Sequence, residues 1–120
     1  MRIEIPGVDA EKGLELYDDE EDIYLIVLRS YAANTTTTLD KIRNVSAETL
    51  ADYTACVHGV KGTSATIGAE ETRKAAAKME VLAKAGDLSG VLAENDAFLK
   101  QADKLVADIK SWLEKNDADA

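Results

Sequence analysis

Apolar residues recur along most of the chain at intervals of three and four positions, the spacing that places side chains on one face of an α-helix. The longest series lies near the C-terminus and has one polar interruption. Its members are Leu88, Val91, Leu92, Asn95, Phe98, Leu99, Ala102, Leu105, Val106, Ile109, Trp112 and Leu113. No stretch alternates apolar and polar residues over a useful length. The pattern therefore predicts an all-α protein.

Capping residues and glycines divide this pattern into five predicted helices. The helices cover about residues 9–17, 18–43, 47–67, 70–85 and 88–115. The predicted N-caps include Asp9, Asp18 or Asp19, Ser46 and Asp87, and Gly86 ends the fourth helix. Because the connections between the long helices are short, the sequence predicts an antiparallel, up-down four-helix bundle with a short extra N-terminal helix packed across it.

The second helix has the least regular pattern. One face mixes apolar and polar residues, and we expect that face to pack on the core. It comprises Ile23, Val27, Ser30, Asn34, Thr38 and Ile42, flanked by Ile26, Tyr31 and Ala33. Each threonine of the run at 35–38 costs up to about 0.7 kcal/mol of helix propensity relative to alanine. Tertiary packing usually outweighs such a penalty, so the predicted helix continues through the run.

The length and the charge limit the kind of domain and the kind of partner. A chain of 120 residues predicts one domain over residues 1–120, with an ordered core from about 5 to 115. The formal net charge of −9 disfavours nucleic acid, whose phosphates need a basic surface, and anionic membranes. We therefore expect neither a nucleic-acid partner nor a membrane partner.

Cysteine content and apolar runs bear on the location of the protein. Cys56 is the only cysteine, which excludes an internal disulfide and suits a reducing compartment. The segment Met1–Pro6 lacks the apolar core of a signal peptide. The longest apolar run, Ile23–Leu28, is far too short to cross a bilayer. These observations predict a cytoplasmic protein.

The one histidine, His58, lies on a cleared face of the third predicted helix. The apolar side of that helix carries Leu50, Tyr53, Val57, Val60 and Ser64, and the histidine side carries Ala51, Thr54, Ala55, Gly62 and Ala65. With 3.6 residues per turn, His58 projects about 130° from the centre of the apolar cluster. Lys61 lies between the two sides, so its ammonium can reach toward the ring. This geometry predicts an exposed imidazole with small neighbours and a nearby cation.

Each of these residue types suits the transfer of a phosphoryl group. Neutral imidazole is a good nucleophile near pH 7. A phosphoryl group on it carries about two negative charges, which Lys61 can partly offset. Gly62 costs about 1 kcal/mol relative to alanine in a helix interior, and the space it leaves can admit a partner. Taken singly, a surface histidine, a solvated lysine and a glycine for close helix packing are ordinary features, but their combination favours a functional site.

The segment from His58 to Gly68 closely resembles the signature of histidine-containing phosphotransfer (HPt) domains of bacterial phosphorelays. That signature is His-x-x-Lys-Gly, then five residues, then Gly, and it is met by His58, Lys61, Gly62 and Gly68. The resemblance extends over about residues 5–115. One departure is Thr72, where family members usually carry leucine, and it implies a loss of apolar burial at that position.

The resemblance implies a monomeric phosphocarrier rather than an enzyme. His58 would accept and donate a phosphoryl group, exchanging it with the aspartate of response-regulator receiver domains in two-component signal transduction. A hybrid sensor histidine kinase is a further implied partner. Lys61 would stabilise the phosphate charge and Gly62 would give steric access. The partner receiver domain would supply Mg²⁺ and most catalytic groups, so the chain itself is expected to hold no cofactor and no metal.

Other functions fit the sequence less well. The alternative is a non-catalytic docking module that binds a receiver domain without phosphotransfer. A self-phosphorylating dimerisation domain would need a nucleotide-binding segment, and the bundle has none. One histidine and one cysteine make a metal site improbable. Asn95 fits either a buried polar group that fixes helix register or a boundary position at the bundle end, and the sequence leaves both open.

Overall fold

The computed structural model describes residues 2–116, and this part of the chain forms five α-helices and no strand. The helices are α1 (Ala10–Glu15), α2 (Glu21–Lys41), α3 (Leu50–Ala65), α4 (Glu70–Lys84) and α5 (Leu88–Asn116). The all-α prediction is confirmed. Residue 1 and residues 117–120, which the single-domain prediction includes, lie outside the described residues.

Helices α2 to α5 form an antiparallel four-helix bundle. α3 packs against α4, α4 against α5, and α2 against both α5 and α3, so the four helices close on themselves. α2 and α5 run in opposite directions. Arg43, just after the end of α2, binds Asp103 at 2.9 Å, whereas Thr36, earlier in α2, accepts from Lys110, later in α5, at 3.3 Å. The predicted up-down bundle is therefore confirmed.

α5 supplies the most continuous face of the core. Its buried residues are Val91, Asn95, Phe98, Leu99, Ala102, Leu105, Val106, Ile109, Trp112 and Leu113. The predicted apolar series is confirmed for these residues. Leu92 is an exception, because its side chain is exposed to solvent. Phe98 and Trp112 lie in the core, so their aromatic rings contribute packing.

Asn95 is a buried polar group with partners on two other segments. Its Oδ1 accepts a hydrogen bond of 2.8 Å from the Tyr53 hydroxyl, and its Nδ2 donates at 2.9 Å to the carbonyl oxygen of Ile42. Both ends of the amide are thus satisfied inside the core. The bonds join α5 to α3 and to the end of α2. Because Tyr53 is held inward, the opposite side of α3 faces solvent.

The predicted core face of α2 is wrong by a rotation about the helix axis, since only Tyr31 and Ile42 of the predicted set are buried. The buried residues are Tyr24, Leu25, Leu28, Tyr31, Ala32, Thr35 and Leu39, while Ile23 and Ile26 are exposed. This rotation buries two aromatic rings whose hydroxyls find partners inside. The Tyr24 hydroxyl donates to the Ile67 carbonyl oxygen at 2.7 Å, and the Tyr31 hydroxyl is bonded to Ser64 Oγ at 2.8 Å. The helix does continue through the threonine run, as predicted.

Two predicted N-caps are also wrong. Asp18 and Asp19 have φ values of 53° and 61° and form a left-handed turn, whereas an N-cap needs extended backbone. α2 begins after Glu20 instead. Ser46 opens a turn and does not cap α3. The amide of Thr49 donates to the Ser46 carbonyl oxygen at 3.2 Å, and the helix begins at Leu50.

The remaining caps are confirmed. Asp9 accepts from the Lys12 amide at 3.1 Å, and Asp87 accepts from the Gly90 amide at 2.9 Å. Gly86 has a φ of 73° at the end of α4, the left-handed conformation expected of a C-terminal glycine.

Gly68 allows the N-terminal segment to pack on the α3–α4 turn. Its φ is 79°, and its carbonyl oxygen accepts from the Asp9 amide at 2.9 Å. A Cβ atom at Gly68 would collide with the Asp9 carbonyl oxygen. Gly68 is the last glycine of the motif. Its backbone conformation and its close approach to Asp9 explain why a glycine is needed there, without reference to phosphate chemistry.

Candidate functional site

His58 projects from the middle of α3 into solvent. Its side chain is 63% exposed. Tyr53, Val57, Val60 and Ser64 of the same helix are buried against the core, as the helical spacing predicts. The expected exposure of the imidazole is therefore confirmed.

The two glycines beside His58 face open space. A Cβ atom built on Gly59 or on Gly62 would meet nothing within 4 Å. Close helix packing, one of the ordinary explanations for Gly62, is therefore wrong. The fold itself therefore does not require a glycine at either position.

Glu80 of α4 joins His58 and Lys61 of the motif, and it is a site residue that the sequence pattern did not predict. Its Oε2 contacts His58 Nδ1 at 2.6 Å, and its Oε1 accepts from Lys61 Nζ at 2.6 Å. A second ammonium, that of Lys84, lies 3.3 Å from Oε2. The Glu80 side chain is only 5% exposed. Lys61 therefore reaches the imidazole through a buried carboxylate that both residues share.

The electrostatics of this group hold Glu80 in its ionised form. The hydrogen bond from Lys61 is the largest influence, and those from His58 and Lys84 add to it. Together they outweigh burial, which acts in the opposite direction, and lower the pKa of Glu80 to about 2. An ionised carboxylate can only accept hydrogen bonds, so Nδ1 of His58 carries the proton. The lone pair of the neutral ring is then on Nε2, the nitrogen that does not contact Glu80.

A comparison with protein families decides where the chain belongs. Residues 26–112 match the family model of the Hpt domain. The chain belongs to the Hpt domain family. The match begins in α2 and ends in α5, so it includes the whole site around His58. Hpt domains take part in histidine phosphotransfer in phosphorelays, where they act as phosphocarriers and interact with receiver domains and kinases. Comparisons with curated proteins and with solved structures gave no match.

A signal for Glu80 was present in the Hpt sequence but was incomplete. The buried side of α4 includes Thr72, Ala76, Met79, Glu80 and Ala83. An acidic residue four positions after Ala76 falls on this otherwise uncharged side, which marks it as a candidate for a specific partner. Which residue of α3 it meets depends on how the two helices pair, and the spacing within α4 does not give that. Thr72, the departure noted in the sequence, is also buried.

Other candidate chemistry in this Hpt domain is sparse. Cys56 is half-buried and packs against the core. Within residues 2–116, no group of three or more His, Cys, Asp or Glu is placed to hold a metal ion. None of the described helices combines the length and the hydropathy that crossing a bilayer requires.

Proposed function

We propose that His58 is the phosphoacceptor of this Hpt domain, which takes a phosphoryl group from the aspartate of one receiver domain and passes it to another. One observation supports this above all: an exposed imidazole is bound through Nδ1 by an ionised, buried carboxylate. This arrangement presents Nε2 as the nucleophile and leaves it accessible to a partner.

The transfer step balances with the groups of the two proteins. The lone pair of Nε2 attacks phosphorus as the bond between phosphorus and the aspartyl oxygen breaks, and the electron pair leaves with the carboxylate. The ring keeps its proton on Nδ1 and becomes positively charged. The Glu80 carboxylate, 2.6 Å from Nδ1, stabilises that charge. Mg²⁺ held by the receiver domain would help to neutralise the charge of the phosphoryl group.

Lys61 and Gly62 have separate parts in the proposal. From its position on Glu80, Lys61 offsets part of the negative charge that arrives with the phosphoryl group. Gly62 lies one turn after His58 on the solvent side and leaves room for the surface of the receiver domain. Glu80 is a positioning residue, because it acts on the phosphoryl group only through the imidazole.

The proposal is tested by incubating the protein with a panel of phosphorylated receiver domains. We expect at least one receiver to label the chain on histidine, giving a bond that is labile in acid and stable in alkali. A panel that labels nothing counts against the proposal. Receiver binding that occurs without transfer, and that His58→Ala does not change, would instead support the non-catalytic docking module.

Replacing Gly62 with leucine tests whether the open space beside His58 is needed for a receiver domain to dock, separately from the reactivity of the imidazole. We expect transfer from a receiver domain to slow at least about 10-fold, since the new side chain fills the space at the docking surface. The free energy of unfolding should not fall, because leucine has a higher helix propensity than glycine by about 1 kcal/mol or less and a Cβ atom at this position meets nothing within 4 Å. The measurements are single-turnover transfer rates and urea unfolding.

A small phosphoryl donor provides the control for this variant. Phosphoramidate needs no docking surface, so it should label wild-type protein and Gly62→Leu at similar rates. Equal slowing with both donors would show that leucine disturbs the imidazole itself, and no slowing with either would remove Gly62 from the proposed site.

A further inference from the structure

The carboxylate of Glu80 faces more positive charge than it can neutralise. The ammonium groups of Lys61 and Lys84 lie 2.6 and 3.3 Å from its oxygens. Among residues 2–116, no other carboxylate lies within 4.0 Å of either ammonium. While the imidazole is neutral, the group therefore keeps one uncompensated positive charge, in a chain whose net charge is −9.

The two lysines are held by Glu80 with unequal strength. Lys61 donates to Oε1 at 2.6 Å, and its side chain is 32% exposed. Lys84 contacts Oε2 at the longer distance of 3.3 Å and is 64% exposed, and the same oxygen already contacts the imidazole at 2.6 Å. A longer and more solvated ion pair is the weaker one. Lys84 can therefore leave the carboxylate at a smaller loss than Lys61.

We propose that Lys84 moves from Glu80 to the phosphoryl group once His58 is phosphorylated, whereas Lys61 stays on Glu80. This inference rests on the proposed function and adds a second cation to it. Lys84 of α4 would contact the transferred phosphoryl group directly, whereas Lys61 acts from its position on Glu80. The exchange leaves the buried carboxylate with Lys61 and His58 as partners. It also gives the phosphoryl group, which carries about two negative charges, a counterion of its own.

The geometry makes this movement short. Lys84 and the imidazole contact the same carboxylate oxygen, so the ammonium already lies beside the ring. The lysine side chain is a flexible four-carbon stem, and its ammonium donates hydrogen bonds in several directions. Lys84 is the last residue of α4, where no following turn of that helix confines it.

Phosphoramidate tests the inference without any partner protein. Nε2 attacks phosphorus, the P–N bond breaks, and the departing nitrogen takes a proton from water and leaves as ammonia. Phosphorus NMR then follows the last protonation of the phosphoryl group as the pH is varied. In Lys84→Gln we expect the midpoint to rise by about 0.5 pH unit, the size that fits the loss of one partly solvated ion pair.

Lys74→Gln is the matched control. Lys74 lies on the same helix, its side chain is also 64% exposed, and the substitution removes the same charge. We expect its midpoint to equal that of the wild-type protein. Equal midpoints for Lys84→Gln and Lys74→Gln would overturn the inference and leave the proposed function intact. Absence of phosphohistidine in the wild-type protein would overturn both.

A purely structural role for Lys84 predicts a different result. As the basic residue in the last turn of α4, Lys84 also interacts favourably with the negative end of the helix dipole. If that were its only contribution, Lys84→Gln would lower the thermal stability and leave the phosphoryl titration unchanged, and this outcome too would overturn the inference.

Discussion

The His58→Gln variant is expected to take no phosphoryl label from any receiver domain or from phosphoramidate, with its helix content unchanged. A glutamine amide has no nucleophilic lone pair comparable to that of imidazole, so the acceptor atom is lost. The fold should persist because His58 is mostly exposed, and an amide N–H can still donate to Glu80. Substitutions at such exposed positions usually change stability by about 0.5 kcal/mol or less. Radiolabel transfer and far-UV circular dichroism are the measurements.

The composition of the chain makes this test unambiguous. His58 is the only histidine, so a phosphohistidine has one possible origin. Label that remains on His58→Gln with the same lability in acid would contradict the proposal directly. Label that remains on His58→Gln but is stable in acid would identify a different acceptor residue, and this result would also contradict the proposed role of His58.

Replacing Glu80 with glutamine is expected to slow phosphorylation of His58 by about 10- to 100-fold. The reaction makes the imidazole ring positive, and the variant loses the carboxylate that stabilises this charge. Hydrogen bonds to charged groups contribute about 1.5–3 kcal/mol, which converts to a rate change of that size. Single-turnover labelling with phosphoramidate and with a receiver domain measures it, and both donors should slow alike because Glu80 acts on the ring.

The Glu80→Gln variant is also expected to change how the stability of the protein depends on pH. Folding lowers the pKa of Glu80 from 4.5 to about 2, chiefly because Lys61 donates to the ionised carboxylate. The resulting stabilisation is complete above about pH 4.5 and is lost as the pH falls through 2. We therefore expect wild-type protein to be more stable than Glu80→Gln at pH 7, and urea midpoints of the two proteins to converge toward pH 2.

Glu71→Gln is the control for both measurements. Glu71 lies on the same helix, but its side chain is 76% exposed and its nearest ammonium, that of Lys74, is 3.9 Å away. We expect Glu71→Gln to be labelled at nearly the wild-type rate. We also expect its urea midpoint to differ from the wild-type midpoint by nearly the same amount at every pH. If Glu71→Gln and Glu80→Gln behaved alike, the loss of one negative charge from α4 would explain the result, and Glu80 would have no positioning role.

Spacing along single helices was enough to predict much of this protein. The period of the apolar residues gave the five helices and the inward side of α5, and the outward side of α3 followed from the position of His58 opposite Tyr53. These properties depend on local geometry, so no knowledge of neighbouring helices was needed. The motif residues Lys61 and Gly62 were found in the same way.

Features that depend on contacts between helices were missed. The rotation of α2 follows from hydroxyl partners for Tyr24 and Tyr31 on α3 and on the turn after it, residues more than thirty positions away. Glu80 was overlooked for a similar reason, because its partners on α3 are 19 and 22 positions earlier in the chain. The turn at Asp18 and Asp19 shows a further limit, since acidic residues that suit an N-cap also tolerate left-handed backbone.

The single hydrogen bond between Nδ1 and Glu80 has a consequence for the kinetics of a relay. If His58 is the phosphoacceptor, as proposed, then with one ring nitrogen occupied and no second histidine the domain offers a single reactive atom. The proteins that donate and accept the phosphoryl group must therefore bind at the same site in turn, and the donor must dissociate before the acceptor binds. Such a carrier follows a double-displacement scheme, in which flux depends on how quickly a spent partner dissociates and not on the simultaneous binding of both.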